Sequence, residues 1–161
     1  IGSMSKSHAM TGSRIGWVVG PQDMISNLID FATNTTYGVA GFVQEAALFA
    51  LDQGVKFEEK IAAPFARRRK ISLDILKEFP NVKAVDPQGG MYVMLDIRAT
   101  GLSGIEFANR LLDQHHIAVM PGESFGQSAA GHLRVAMTIA DTAYGAALWR
   151  LCQFATELVD V

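Results

Sequence analysis

Lys6 stands between serines in Ser3-Met-Ser-Lys6-Ser, and Arg14 follows eight residues later in Thr11-Gly-Ser-Arg14-Ile-Gly16. A free lysine amine titrates at about 10.4, so on the order of one in a few thousand is uncharged at pH 7. Condensation with an aldehyde into a Schiff base removes that handicap. Arginine presents a planar fork of donors to a phosphate, and Ser3 can add a hydroxyl. Lys6, Arg14 and Ser3 therefore suit a phosphorylated aldehyde held at both ends, although a lysine among serines is by composition alone also what a solvated loop contains. Arg134, in Gly131-His-Leu-Arg134-Val, is a second candidate. A bidentate guanidinium–carboxylate pair would orient a carboxylate ligand as well as attract it, and the plain alternative is a surface arginine on an edge strand.

Other chemistry-bearing residues lead nowhere. Gly122-Glu-Ser-Phe-Gly126 matches the G-x-S-x-G nucleophile elbow, but a helix should follow Ser124 directly and an acid and a histidine should lie downstream. Glycine-rich loop and strand follow instead, and no histidine comes after Asp141. His115-His116 has no Cys, Asp or Glu at zinc spacing, and at the start of a strand the two side chains would point to opposite faces, so no metal site is expected. The single cysteine, Cys152, can form neither an intrachain disulfide nor a CxxC clip, which fits a reducing, cytoplasmic setting. The run Arg67-Arg-Arg-Lys70 reads as a solvated helical face.

The elements that must position these residues follow from periodicity and turn chemistry. Residues 15–20 read as a buried strand closed by Pro21. A helix is expected over Gln22–Ala32, with Met24, Ile25, Leu28, Ile29 and Phe31 at helical spacing, then a turn over residues 34–38. Another helix over residues 41–51 should stop near Gly54. Residues 55–79 predict one long helix or two short ones, with a kink or a fresh start at Pro64. Beyond Pro80 the pattern predicts strands over 82–85, 91–97, 116–120 and 132–137. It also predicts a helix capped by Ser103 with a stripe of Ile105, Ala108, Leu111 and Leu112. Asp141 should cap a last helix whose core face is Tyr144, Leu148, Leu151, Cys152, Ala155 and Leu158. From residue 81 onward this is a compact α+β unit.

The 161 residues are 49% hydrophobic and 19% charged, enough to bury one core, and the net charge of −2 provides no field to gather nucleic acid or anionic lipid. Charged, polar or glycine residues interrupt every apolar run well short of the roughly 18 residues of a membrane helix. No nucleic-acid or membrane partner is expected. The first residues have neither an initiator Met nor the basic-then-apolar order of a signal peptide, so a longer parent chain is expected.

Hydroxyl residues at 3 and 5, Lys6, Ala9-Met10, Gly12, Arg14 and Ile15-Gly16 together resemble the pyridoxal 5'-phosphate attachment motif of class I/II (fold type I) aminotransferases. Pro87-Gln-Gly-Gly-Met-Tyr-Val-Met-Leu-Asp96, Val119-Met-Pro-Gly-Glu-Ser-Phe-Gly126 and Gly131-His-Leu-Arg134-Val resemble, in the same order, the small-domain strand entered at a Gly-Gly pair, the loop near the active-site mouth, and the segment with the substrate-carboxylate arginine. Ser13, where many relatives have a bulky aromatic, and Pro64 depart from the pattern.

The resemblance implies an α/β chain: residues 1–53 as the tail of the fold type I cofactor-binding large domain, and residues 54–161 as a connecting helix and C-terminal α+β small domain. It implies that Lys6 carries the cofactor and acts as the catalytic base, that Ser3 and Arg14 hold its phosphate, and that Arg134 binds the substrate α-carboxylate. The implied reaction is transamination between an amino acid and a 2-oxo acid. The phrases Ser-Lys-Ser-His-Ala-Met-Thr-Gly and Ser-Ala-Ala-Gly-His-Leu-Arg are most similar to arginine–pyruvate transaminases. The same fold and lysine serve carbon–sulfur β-lyases and oxoamine synthases, and aminotransferase-like domains occur in transcriptional regulators. A homodimer is implied, with residues 34–38 as the stretch for cross-subunit contact, and residues 1–161 alone are expected to be inactive.

Overall fold

A computed structural model describes residues 1–159. It divides into two compact units, Ile1–Ala63 and the chain from Pro64 onward. The first begins with a two-residue strand β1 (Gly2–Ser3), a helical turn α1 (Met4–Ser7), a 3-10 turn over Thr11–Ser13 and a strand β2 (Gly16–Trp17). The strands are antiparallel, Ser3 opposite Gly16 and Gly2 opposite Trp17. They approach so closely that a β-carbon on Gly16 would stand 2.5 Å from the Gly2 carbonyl oxygen. Helices α2 (Gln22–Thr35) and α3 (Gly41–Asp52) follow, and Gly54, at φ 67°, separates α3 from α4 (Val55–Leu76).

Several expectations for this unit need correction. The strand of residues 15–20 is only two residues long and exposed, with Val19 82% accessible, because β1 alone pairs with it. Runs of β-branched residues bury both faces only inside a wider sheet. Helix α2 forms at the predicted place but buries none of its stripe. It also runs through Asn34 and Thr35, whose side chains fold back along the helix and donate to the carbonyls of Asp30 and Phe31. The turn falls at Tyr37 and Gly38, at φ 57° and 87°. No break occurs at Pro64. The ring removes one hydrogen bond, and the packing of Phe65, Ile71, Ile75 and Leu76 against the core carries the helix past it.

In the second unit a four-stranded antiparallel sheet has the order β3-β4-β6-β5, where β3 is Lys83–Val85, β4 Tyr92–Asp96, β5 Met120–Pro121 and β6 His132–Ala136. Helices α5 (Gly104–His115) and α6 (Asp141–Val159) complete it. The two inner strands alternate: Val93 and Leu95 of β4 and Leu133 and Val135 of β6 are buried, while Tyr92, Met94, His132 and Arg134 lie on the other face. The buried face joins Phe107 and Leu111 of α5 and Tyr144, Leu148, Leu151, Cys152, Phe154 and Ala155 of α6 in one apolar cluster. The predicted face of α6 is therefore the observed one, with Phe154 added.

Helix α5 is capped as expected, Ser103 Oγ accepting from the Glu106 N–H at 3.2 Å. Its stripe is shifted. Gly104, Phe107, Ala108 and Leu111 are buried and Ile105 and Leu112 are half exposed, because the large Phe107 ring takes the core position that either of two overlapping apolar stripes could have filled. The strand expected over 116–120 shrinks to Met120–Pro121, since His116 ends α5 in the left-handed conformation, at φ 57°. His115 closes the helix and its two ring nitrogens face the Arg150 guanidinium at 3.2 and 3.1 Å. Among the described residues no group of His, Cys, Asp and Glu could hold a metal ion. The arginine run of α4 is only partly the solvated face expected: Arg67 and Lys70 are exposed, but the arginines also strap the unit together. Arg67 and Arg68 both bond the Asp141 carboxylate, at 2.8 and 2.7 Å, and Arg69 reaches Asp86 at 2.7 Å. That also occupies the carboxylate expected to cap α6.

Candidate active site

The lysine loop is built around one buried side chain. Met4 is fully buried; its N–H donates to the Ile15 carbonyl at 3.2 Å, and its carbonyl accepts from the Met10 N–H at 3.2 Å. Both ends of the loop are thereby tied to one residue. Ser3, extended at φ −149°, caps α1 by accepting from the Ser5 N–H at 3.2 Å. Lys6 projects from this single turn and is exposed, as are Ser3 and Arg14. After the 3-10 turn the chain reverses through Arg14 in the left-handed region, φ 51° and ψ 49°. The guanidinium is turned back onto the turn it has left, Nη1 donating to the Thr11 carbonyl at 2.9 Å and to Ser5 Oγ at 3.4 Å. Ser3, Ser5, Lys6 and Arg14 thus belong to one folded loop. Two hydroxyls, a guanidinium and a primary amine are a donor set that fits a phosphate at one end and an aldehyde at the other.

Ser7 and His8 support this loop from beneath. Ser7 Oγ donates to the Ser3 carbonyl at 3.2 Å and meets His8 Nδ1 at 2.8 Å. The His8 side chain is 2% exposed, stacks on Phe57 and brings Nε2 to 3.6 Å from the Glu58 carboxylate. The buried Met4 and the buried His8 are invisible to a reading by motif; the only hint is an apolar and an aromatic-like residue flanking an otherwise polar stretch.

Arg134 lies in the second unit, on an inner strand of its sheet, opposite Met94 on one side and Met120 on the other. Its guanidinium carbon lies 4.3 Å from the centre of the Tyr92 ring and 4.4 Å from that of Phe125. Every other arginine of this unit is paired with a carboxylate or a carbonyl: Arg67 and Arg68 with Asp141, Arg69 with Asp86, Arg98 with Asp96, Arg110 with Glu106, Arg150 with Glu157. Among the described residues, no carboxylate pairs with Arg134.

The 3-10 turn Gly122–Phe125 carries Phe125 and is tied down by Glu123, whose Oε1 accepts from the Gly104 N–H at 2.8 Å and the Gly131 N–H at 3.1 Å. Chiefly the Gly131 hydrogen bond holds this carboxyl below the usual glutamate range. Ser124 is exposed on the same turn with no helix behind it, so the elbow chemistry has no scaffold. Burial pushes the Cys152 thiol up to about 12, which makes it a core side chain and not a nucleophile.

The model of the family "Aminotransferase class I and II" matches residues 1–150. This chain belongs to that family, whose members depend on pyridoxal phosphate. It is 43% identical over 159 residues to an arginine–pyruvate transaminase of Pseudomonas aeruginosa, covering 99% of this chain and 40% of that protein. An aspartate aminotransferase of Pyrococcus horikoshii is 36% identical over 135 residues, 83% of this chain and 34% of that one. Among solved structures, an aminotransferase from Staphylococcus aureus superposes with a TM-score of 0.88 at 32% identity, over 96% of this chain and 40% of that one. An aromatic aminotransferase from Pyrococcus horikoshii gives 0.86 at 30%, over 96% and 41%. The fold is the α/β fold of the fold type I aminotransferases, of whose length this chain spans about 40%.

Proposed function

We propose that the protein containing this chain transfers the amino group of an amino acid to a 2-oxo acid, and that its pair is arginine and pyruvate, as in the name of the similar Pseudomonas enzyme. The observation that carries this reading is the lysine loop, a single fold that holds Ser3, Ser5, Lys6 and Arg14, with Arg14 bonded to Ser5 and Ser3 capping the turn that bears Lys6. When bound, pyridoxal phosphate supplies an electron sink for the pair of electrons left as the substrate α-carbon loses its proton. Arg14 and the two serine hydroxyls hold the phosphate. Lys6 Nζ is the group that would hold the aldehyde end, and as a free amine it would be the base that takes the proton from the substrate α-carbon. Arg134, which no carboxylate pairs among the described residues, takes the substrate α-carboxylate in its fork and fixes which bond of the α-carbon is presented.

Residues 1–53 serve as part of the cofactor-binding domain and residues 54–161 as connecting helix and small domain. The protein works in the cytoplasm as a homodimer, with the stretch around Tyr37, 89% accessible, at the subunit contact. No helix among the described residues is long and apolar enough to cross a membrane. Lys6→Ala tests the assignment in the full-length protein: turnover of arginine with pyruvate is abolished, and an active variant overturns the role given to Lys6.

A further inference from the structure

Arg134 is held on the open face of its sheet by two aromatic rings that no charge pairing accompanies. Tyr92 reaches it from β4, one step along the same face from Met94, the direct partner of Arg134. Phe125 reaches it from the turn between β5 and β6. A guanidinium attracts an aromatic ring through its flat face, while its N–H donors point outward in the plane. Ring contacts therefore restrict the fork without consuming the donors that a carboxylate needs, which a salt bridge to an aspartate would do. Phe125 is itself 46% accessible and depends on its turn for position. That turn has no freedom at its root: a β-carbon on Gly122 would collide with the Ala129 carbonyl oxygen, and the Glu123 carboxylate ties it to the N–H groups that open α5 and β6.

We infer that Tyr92 and Phe125 are positioning residues that hold the Arg134 fork edge-on to the incoming carboxylate, and that Glu123 sets Phe125 in place. The inference rests on the reading of Arg134 as the α-carboxylate site. It differs from that reading in assigning affinity for the carboxylate to residues that do not touch it. A ring contact of this kind contributes enough to change affinity by about 3- to 30-fold.

The test uses the full-length protein with its cofactor and propionate, which carries a carboxylate and no amino group, with binding followed by ligand-observed NMR and pyruvate turnover measured alongside. Phe125→Leu and Tyr92→Leu should each weaken propionate binding about 3- to 30-fold and raise the KM for pyruvate by a similar factor, leaving kcat within about twofold. Phe125→Tyr and Tyr92→Phe, which restore a ring, should recover the affinity. Glu123→Gln, which keeps the shape and loses the charge, should weaken it by a smaller factor. Binding unchanged in the two leucine variants while Arg134→Ala abolishes it overturns the positioning role alone. Binding unchanged in Arg134→Ala overturns the underlying reading. An affinity lost equally in the leucine variants and in the ring-restoring ones also counts against the inference, because it marks a general packing defect.

Discussion

A β-carbon in the left-handed region costs about 1–2 kcal/mol, and Arg14 occupies that region because the chain must reverse there while its guanidinium stays over the turn of Thr11 and Ser5. The cost and the use can be separated. Arg14→Gly should leave thermal stability unchanged or raised, since glycine adopts that backbone freely, yet weaken pyridoxal phosphate binding at least tenfold by loss of the fork. A melting curve and a cofactor titration on the same sample check both halves. Two other side chains contribute to the pH dependence of folding. Hydrogen bonds from the Arg98 side chain hold Asp96 down to about 2. An unfolded aspartate takes its proton at about 3.9, so the stability Asp96 provides is present above that value and lost as pH falls through about 2. Cys152 runs the other way. Its unfolded thiol ionises at about 8.5 and its buried one at about 12, so its contribution is complete below about 8.5 and is lost as pH rises toward 12. Urea midpoints across pH should fall at both ends, with Asp96→Asn flattening the acid limb and Cys152→Ala the alkaline one.

At the scale of elements, the helices were legible and so were the strands β3, β4 and β6, while two further strands were overestimated. Periodicity located α2, α3, α5 and α6 because each repeats apolar residues every three or four positions whatever lies opposite. Which of two overlapping stripes faces the core, as in α5, depends on the sheet it meets. The strand at residues 15–20 and the one at 116–120 were overestimated for a related reason: a β-branched run extends only as far as it finds a partner, and His116 instead spends its backbone closing α5. The arginines of α4 looked solvated because their partners, Asp86 and Asp141, are far away in sequence. Ser103 was legible because capping is local. Ser103→Ala should lower stability by about 1 kcal/mol with cofactor binding unaltered, as denaturant unfolding of the two proteins would show.

Across the whole molecule the candidate residues were easier to single out than the architecture that positions them. Ser3, Lys6 and Arg14 fall within one contiguous stretch, so the resemblance of that stretch to a single motif picks them out together. The rings beside Arg134 come from β4 and from the turn before β6, and only the strand register brings them together. Family membership supplies the cofactor, and the two constellations, one in each unit, are in the proposed reading an amine with a phosphate cradle and a guanidinium that no carboxylate pairs among the described residues. The proposed transamination would use both. The most direct test of that claim is the visible absorbance of the full-length protein with pyridoxal phosphate, recorded before and after adding arginine, in the native sequence and in Lys6→Ala. The account predicts a band of bound cofactor that bleaches with arginine and returns with pyruvate, and neither change in Lys6→Ala. A well-folded native protein that gives no such band, or a Lys6→Ala variant that behaves like it, would contradict the account.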